Sequence, residues 1–399
     1  MAPNMNATIV DESTWEGIHT VIVHLSLPHP KAIVTSPTSI DDTHDIEPEE
    51  RQEPQEAQDL YLEKPVMNGS ATNGNVTKPL YTPDDQPPSS RFKVAIHPRA
   101  DEVCAELDAF FATYWPWPNE KARQKFIAAD TNRWGCWSLP LVKDERMVDS
   151  VKVNTLLFLL DDIAENMSLQ EGKAFYHRLI LLAQGKALPN REDAYEWITY
   201  DTFASMRAVD EEQTNGIVQG AILCVLAQVD PARKQCVGMG QLLRQRYKEG
   251  GVRFVAAVIR YGMDLRISDA GMEDIKALEV IYSSFGMIVN DIYSYHKELR
   301  AYKEGGMEGG ELLNAVEMQA HDTGLSYGAA KRVLWMLCRE LELLFLEKAQ
   351  AMKTEMDRVG LEGKGEKNGD VRSYLDAFEY VMSGNEKWSE YTERYHEKD

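Results

Sequence analysis

From Phe92 onward the apolar residues of this 399-residue chain recur at helical rather than alternating spacing. Val103, Leu107, Phe110, Phe111 and Tyr114 form one stripe, and Leu334, Leu337, Leu341, Leu344 and Phe345 another. A period of 3.6 buries one face of a helix, whereas a half-buried strand needs a period of two. Strand signals are sparse, so an all-α fold is expected. The spacing predicts helices over about 99–114, 120–130, 147–163, 168–185, 192–208, 211–228, 232–264, 272–302, 311–320, 326–358 and 370–383, punctuated by Pro189, Pro231 and several glycines.

Residues 1–91 differ. They are rich in Pro, Ser, Thr, Asn, Asp and Glu, and only Thr20–Leu27 carries an apolar run. Such a stretch buries too little apolar surface to offset its ordering entropy, so a mostly disordered, low-complexity extension is expected ahead of one helical domain over 92–399. The 43% apolar content is enough for a sizeable core. A formal charge of −21 excludes nucleic acid as the natural partner, since phosphate-backbone binding needs a cationic footprint. Five scattered cysteines show neither metal spacing nor a disulfide framework, which points to a reducing compartment. No segment is long and apolar enough to span a membrane, so a soluble, cytoplasmic protein is expected.

Two polar segments carry the chemistry. Asp161-Asp162-Ile163-Ala164-Glu165 closes the apolar run Leu156–Leu160, so a buried helix delivers carboxylates from its last turn. The helix dipole is negative at that end, which makes a bound cation the better explanation for Asp161. In Asn290-Asp291-Ile292-Tyr293-Ser294-Tyr295-His296-Lys297-Glu298, the residues Asn290, Ser294 and Glu298 fall at i, i+4 and i+8 and share one helical face. Asp291 points about 100° away from Asn290. Oxygen donors of this kind suit magnesium, which keeps several waters and is usually held by a few carboxylates plus substrate phosphate. Asp41-Asp42-Thr43-His44-Asp45 repeats the acidic pattern without any apolar periodicity around it and is read as a decoy.

With these segments the chain resembles the class I terpene cyclases, and their fungal members most closely. That family pairs a DDxx(D/E) segment with an NDxxSxxxE segment. Arg246-Tyr247-Lys248-Glu249-Gly250 is similar to its RxxDG element, with Glu249 in place of the usual aspartate, and Arg394-Tyr395 resembles its terminal arginine-tyrosine pair.

The resemblance implies a single-domain class I terpenoid synthase bundle around a central apolar cavity. It implies three magnesium ions, held by Asp161 with Asp162 and Glu165 assisting, and by Asn290, Ser294 and Glu298. Arg246 corresponds to the diphosphate sensor, with Glu249 linking it to the carbonyl of Gly250, while Lys297, Arg394 and Tyr395 complete the diphosphate grip. A solvated helix face is the other reading of Lys297. The implied reaction ionises a linear prenyl diphosphate, farnesyl diphosphate first, and cyclises the cation to a sesquiterpene hydrocarbon or alcohol, releasing inorganic diphosphate. A diterpene cyclase using geranylgeranyl diphosphate and a catalytically silent helical binding protein are the alternatives.

A cation needs an apolar, aromatic enclosure, for which Phe158, Phe203, Tyr282, Phe285 and Trp388 are candidates beside the alternative of ordinary core packing. The glycine-rich connections 304–310 and 360–369 read either as surface loops or as lids. The chain is expected to act as a monomer or homodimer.

Overall fold

Several helices in this chain begin where a side chain can accept from the orphan N–H groups of the first turn. Asn119, Asp193, Asp210 and Asn314 each do so, and Ser168 with Glu171 forms a reciprocal capping box. The computed structural model describes residues 87–305, 312–361 and 368–396. Its helices are α1 (Ala100–Tyr114), α2 (Glu120–Ala129), α3 (Thr131–Ser138), α4 (Asp144–Ala164), α5 (Leu169–Ala183), α6 (Ala194–Val209), α7 (Glu211–Gln228), α8 (Gly238–Glu249), α9 (Val252–Met263), α10 (Asp269–Asp274), α11 (Lys276–Lys303), α12 (Ala315–Thr323), α13 (Tyr327–Leu361) and α14 (Asn368–Ser389). A 3₁₀ turn, Pro231–Gln235, joins α7 to α8, and no strand occurs among the described residues. The fold is all-α, as the periodicity predicts.

Three departures from the predicted boundaries have physical causes. The run expected over 232–264 is cut in two at Gly250-Gly251, where Gly251 takes φ 70° and separates α8 from α9. The last helix continues past 383 because Gly384 is a packing residue: a Cβ there would lie 2.4 Å from the carbonyl oxygen of Trp137 on α3. α3 itself is too short for a periodic stripe to announce it, and it starts at Asp130, a non-glycine residue at φ 52°.

The bundle is built on close backbone approaches. A Cβ at Gly220 of α7 would sit 2.7 Å from the Cα of Phe254, so α7 and α9 pack with nothing between them. Tyr261, Tyr374, Phe111, Phe285, Phe345 and Phe378 are fully buried in the common core. The chain is already tied to this bundle ahead of Phe92. Arg339 Nε donates to the carbonyl of Pro88 at 2.7 Å, and Ser90 Oγ donates to Glu342 at 3.0 Å. Most of both glycine-rich connections, the acidic decoy at 41–45 and the extension up to residue 86 lie outside the described residues. No described helix is long and apolar enough to cross a membrane.

Candidate active site

Asn154, Leu157, Phe158 and Asp161 fall at i, i+3, i+4 and i+7 on α4, and all four line one cavity of ≈ 930 Å³. Tyr282, Gly286 and Asn290 of α11 face it from the other side, and Arg246, Glu249, Gly250 and Gly251 reach it from the α8–α9 break. A neighbouring polar pocket of ≈ 520 Å³ shares Asp161, Gln228, Arg246 and Glu249 with the first and adds Glu165 and Arg233.

The acidic residues of α4 divide their work. Asp161 Oδ1 accepts from Gln228 Nε2 at 2.8 Å, leaving Oδ2 without a partner among the described residues. Burial, then the neighbouring Glu165 and Asp162, push its carboxyl up to about 7. Asp162 is turned the other way, gripped by both terminal nitrogens of Arg394 at 2.9 and 2.7 Å, with Lys297 Nζ 3.6 Å away. Burial would raise its pKa, but the two cations outweigh it and hold the carboxyl below the usual range.

On α11, Asn290 Nδ2 donates to the Tyr395 hydroxyl at 2.8 Å, and Asn290 Oδ1 has only a long contact of 3.5 Å from Arg246. Ser294 is buried, and its Oγ has no hydrogen-bond partner among the described residues. Glu298 accepts from Asn314 at 3.0 Å. Asp291 faces inward to other duties, pairing with Arg246 and accepting the N–H of Ala315 at 2.8 Å. It is a structural carboxylate that positions Arg246.

Arg246 also meets Glu249 Oε1 at 3.4 Å. At the helix break the Glu249 carbonyl accepts from Cys224 Sγ at 2.9 Å and Gln228 Nε2 at 3.4 Å. Gly250 fits only because it lacks a side chain, since a Cβ would meet Met287 Sδ at 2.1 Å.

The aromatic candidates separate. Phe158 and Tyr282 line the cavity; Phe158 lies edge-on to Trp134, another wall residue, with centroids 5.1 Å apart, and Tyr282 stacks on Phe378 at 4.6 Å. Phe285 does not line it. One residue from Gly286 is about 100° of helix, which turns Phe285 into the core against Phe92, with centroids 5.6 Å apart. Phe203 lines a separate apolar pocket between α4 and α7. Trp388 lies behind Phe158, 6.4 Å away, and is pinned through Nε1 to the carbonyls of Ala129 and Asp130.

Gln228 was not anticipated, because a glutamine ending a helix is unremarkable in sequence; its importance comes from joining Asp161 to the Glu249 carbonyl. Asn154 had a readable signal, a polar residue two turns before Asp161 inside an otherwise apolar face.

The donor set fits a divalent cation. A buried hydroxyl with no partner, a free carboxylate oxygen and a weakly held amide oxygen are hard ligands in want of one. No three His, Cys, Asp or Glu side chains converge on one point among the described residues.

The family model described as terpene synthase family 2, C-terminal metal binding, matches residues 152–342. Aristolochene synthase of Aspergillus terreus is 38% identical over 310 residues, covering 78% of this chain and 94% of that protein. Aristolochene synthase of Penicillium roqueforti is 35% identical over 339 residues, covering 84% and 95%. The crystal structure of aristolochene synthase from Penicillium roqueforti superposes with a TM-score of 0.67, covering 77% of this chain and all of that one.

Proposed function

The chain belongs to the terpene synthase family, and on that premise we propose that it ionises farnesyl diphosphate with magnesium and cyclises the resulting cation to a sesquiterpene, releasing inorganic diphosphate. The observation that carries the reading is that Asp161, Asn290 and Arg246, from three separate helices, line the same cavity as Phe158 and Tyr282. The names of the relatives that cover most of this chain support a sesquiterpene over the diterpene alternative.

Three magnesium ions are proposed, held by Asp161 with Glu165 and Asp162, and by Asn290, Ser294 and Glu298. The chemistry they supply when bound is neutralisation of the charge that builds on the departing diphosphate. In the present state the site's cations are spent on its own carboxylates: Arg394 and Lys297 on Asp162, Arg246 on Asp291 and Glu249. Diphosphate binding exchanges these partners. Arg394 offers a planar, two-pronged grip on phosphate oxygens, and Lys297 adds a point charge. The Tyr395 hydroxyl accepts from Asn290, so its own hydrogen is free to donate. Arg246 holds its charge: burial disfavours it, but Asp291 and Glu249 outweigh that.

Departure of diphosphate leaves an allylic cation facing Phe158 and Tyr282, whose rings attract positive charge while the apolar wall keeps bulk water out. Five free cysteines fit a reducing, cytoplasmic setting.

The test supplies geranyl, farnesyl and geranylgeranyl diphosphates separately with magnesium and follows diphosphate release and products by gas chromatography. Cyclic product chiefly from farnesyl diphosphate is expected. Product only from geranylgeranyl diphosphate would make it a diterpene cyclase, release without cyclic product a hydrolase, and no release a binder.

A further inference from the structure

One polar group in the cavity has no task in ionisation. Asn154 is 2% exposed and lines the cavity on the face of α4 that carries Phe158 and Asp161. Its Nδ2 donates to the carbonyl of Ser150 at 2.7 Å. That bond fixes the orientation of the amide, because only the nitrogen end can face a carbonyl. Oδ1 is therefore the end turned from Ser150, and it has no hydrogen-bond partner among the described residues.

Of the other polar side chains of the apolar wall, Cys224 and Asn385 are committed, while the Tyr282 hydroxyl also lacks a partner among the described residues. Cys224 donates to the Glu249 carbonyl at 2.9 Å, and Asn385 accepts from Trp134 Nε1 at 2.9 Å. Asn385 Nδ2 makes one long bond, 3.4 Å, to the carbonyl of Gly286.

A carbonyl that opens onto a largely apolar cavity lacks the donors water would give it, and the cavity's own substrate cannot supply one. The hydrocarbon portion of a prenyl diphosphate has no N–H or O–H to give. Water has, and a site that is roomy and holds polar partners can keep one. Resting on the cyclase reading above, we propose that Asn154 Oδ1 holds a water molecule beside the cyclising cation, and that capture of this water makes the product a cyclic sesquiterpene alcohol. Asn154 is then the residue that decides between alcohol and hydrocarbon.

The step balances. The water donates one hydrogen to Oδ1, while Asn385 Nδ2 has a second hydrogen to offer it within the same cavity. A lone pair that stays free forms the C–O bond to the cationic carbon and fills its empty orbital. An O–H bond of the resulting oxonium breaks, its electrons stay on oxygen, and the proton passes to an oxygen of the released diphosphate. Prenyl diphosphate and water become alcohol and protonated diphosphate, and nothing is oxidised or reduced.

The experiment incubates the full chain with magnesium and farnesyl diphosphate in water enriched in heavy oxygen, and reads products by gas chromatography and mass spectrometry. A cyclic alcohol carrying the heavy oxygen is expected. Asn154→Leu, alike in branching, and Asn154→Val are expected to lower the alcohol-to-hydrocarbon ratio, per diphosphate released, by about tenfold or more; circular dichroism checks that each folds. A hydrocarbon alone from the native chain, an alcohol with the ordinary isotope, or an unchanged ratio in the folded variants overturns the proposal. Absence of diphosphate release from the native chain instead overturns the cyclase reading beneath it.

Discussion

Ser294 Oγ, buried and without a partner, contributes nothing to the metal-free fold. Ser294→Ala is therefore expected to leave the melting temperature unchanged or slightly raised while weakening magnesium-dependent diphosphate binding by about 10- to 100-fold, read by titration calorimetry. Equal binding in the variant would remove Ser294 from the ligand set. Asp161 makes the site pH-sensitive. Its carboxyl is raised to about 7 in the folded chain, so between the usual carboxylate range and 7 the folded state holds a proton that the unfolded state has lost. In chelator-treated protein this group adds stability at low pH, and the gain disappears as pH rises through 7. Asp161→Asn should flatten that part of the denaturant-stability profile, and an unaltered slope would contradict the assignment. At this scale the proposed ion-binding residues are legible, since carboxylates at a helix's negative end and oxygens at i, i+4 and i+8 need an explanation that a surface does not supply. Which aromatic meets the cavity is not legible. Tyr282 and Phe285 are equally apolar neighbours in sequence, and only the rotational phase of α11, set by packing on α13 and α14, separates wall from core.

The α8–α9 break is the element on which Arg246, the proposed sensor, depends. The cost of two adjacent glycines in a helical stretch shows in sequence, and the structure turns there so that Arg246, Glu249 and Gly250 reach the cavity. At Gly250 an added Cβ would meet Met287 Sδ at 2.1 Å and the Arg246 carbonyl at 2.7 Å. Gly250→Ala is expected to destabilise the protein by about 1–3 kcal/mol in urea unfolding and to depress turnover. Adding Met287→Ala should recover only part, because the backbone clash stays; full recovery would show that the break tolerates a side chain. What sequence hides here is contact between elements. α3 is short and irregular, and its role as the seat of Trp134 and as the surface against which Gly384 packs exists only once α14 is in place.

For the whole molecule, the cavity is a meeting of distant segments. α4 brings the first acidic residues, α8 the sensor, α11 the second set and the segment after α14 the arginine and tyrosine, the last anchored by Trp388 and Thr392 on the carbonyl of Ala129. A ligand that binds this assembly and not the unfolded chain must stabilise all of it. Magnesium with inorganic diphosphate is thus expected to raise the melting temperature more than the sum of either alone, since each alone leaves Arg394 paired with Asp162. Arg394→Met should abolish most of that extra shift in a thermal scan. An equal shift with magnesium by itself would show that the ion binds without its anion. Asp162 and Arg394 stand 232 positions apart and touch only when the bundle has closed. Because contacts of such separation form with the global fold, a chain caught midway through folding has no grip on phosphate and cannot release a reactive carbon species among exposed thiols and amines: the topology withholds a hazardous reaction until the vessel for it is sealed.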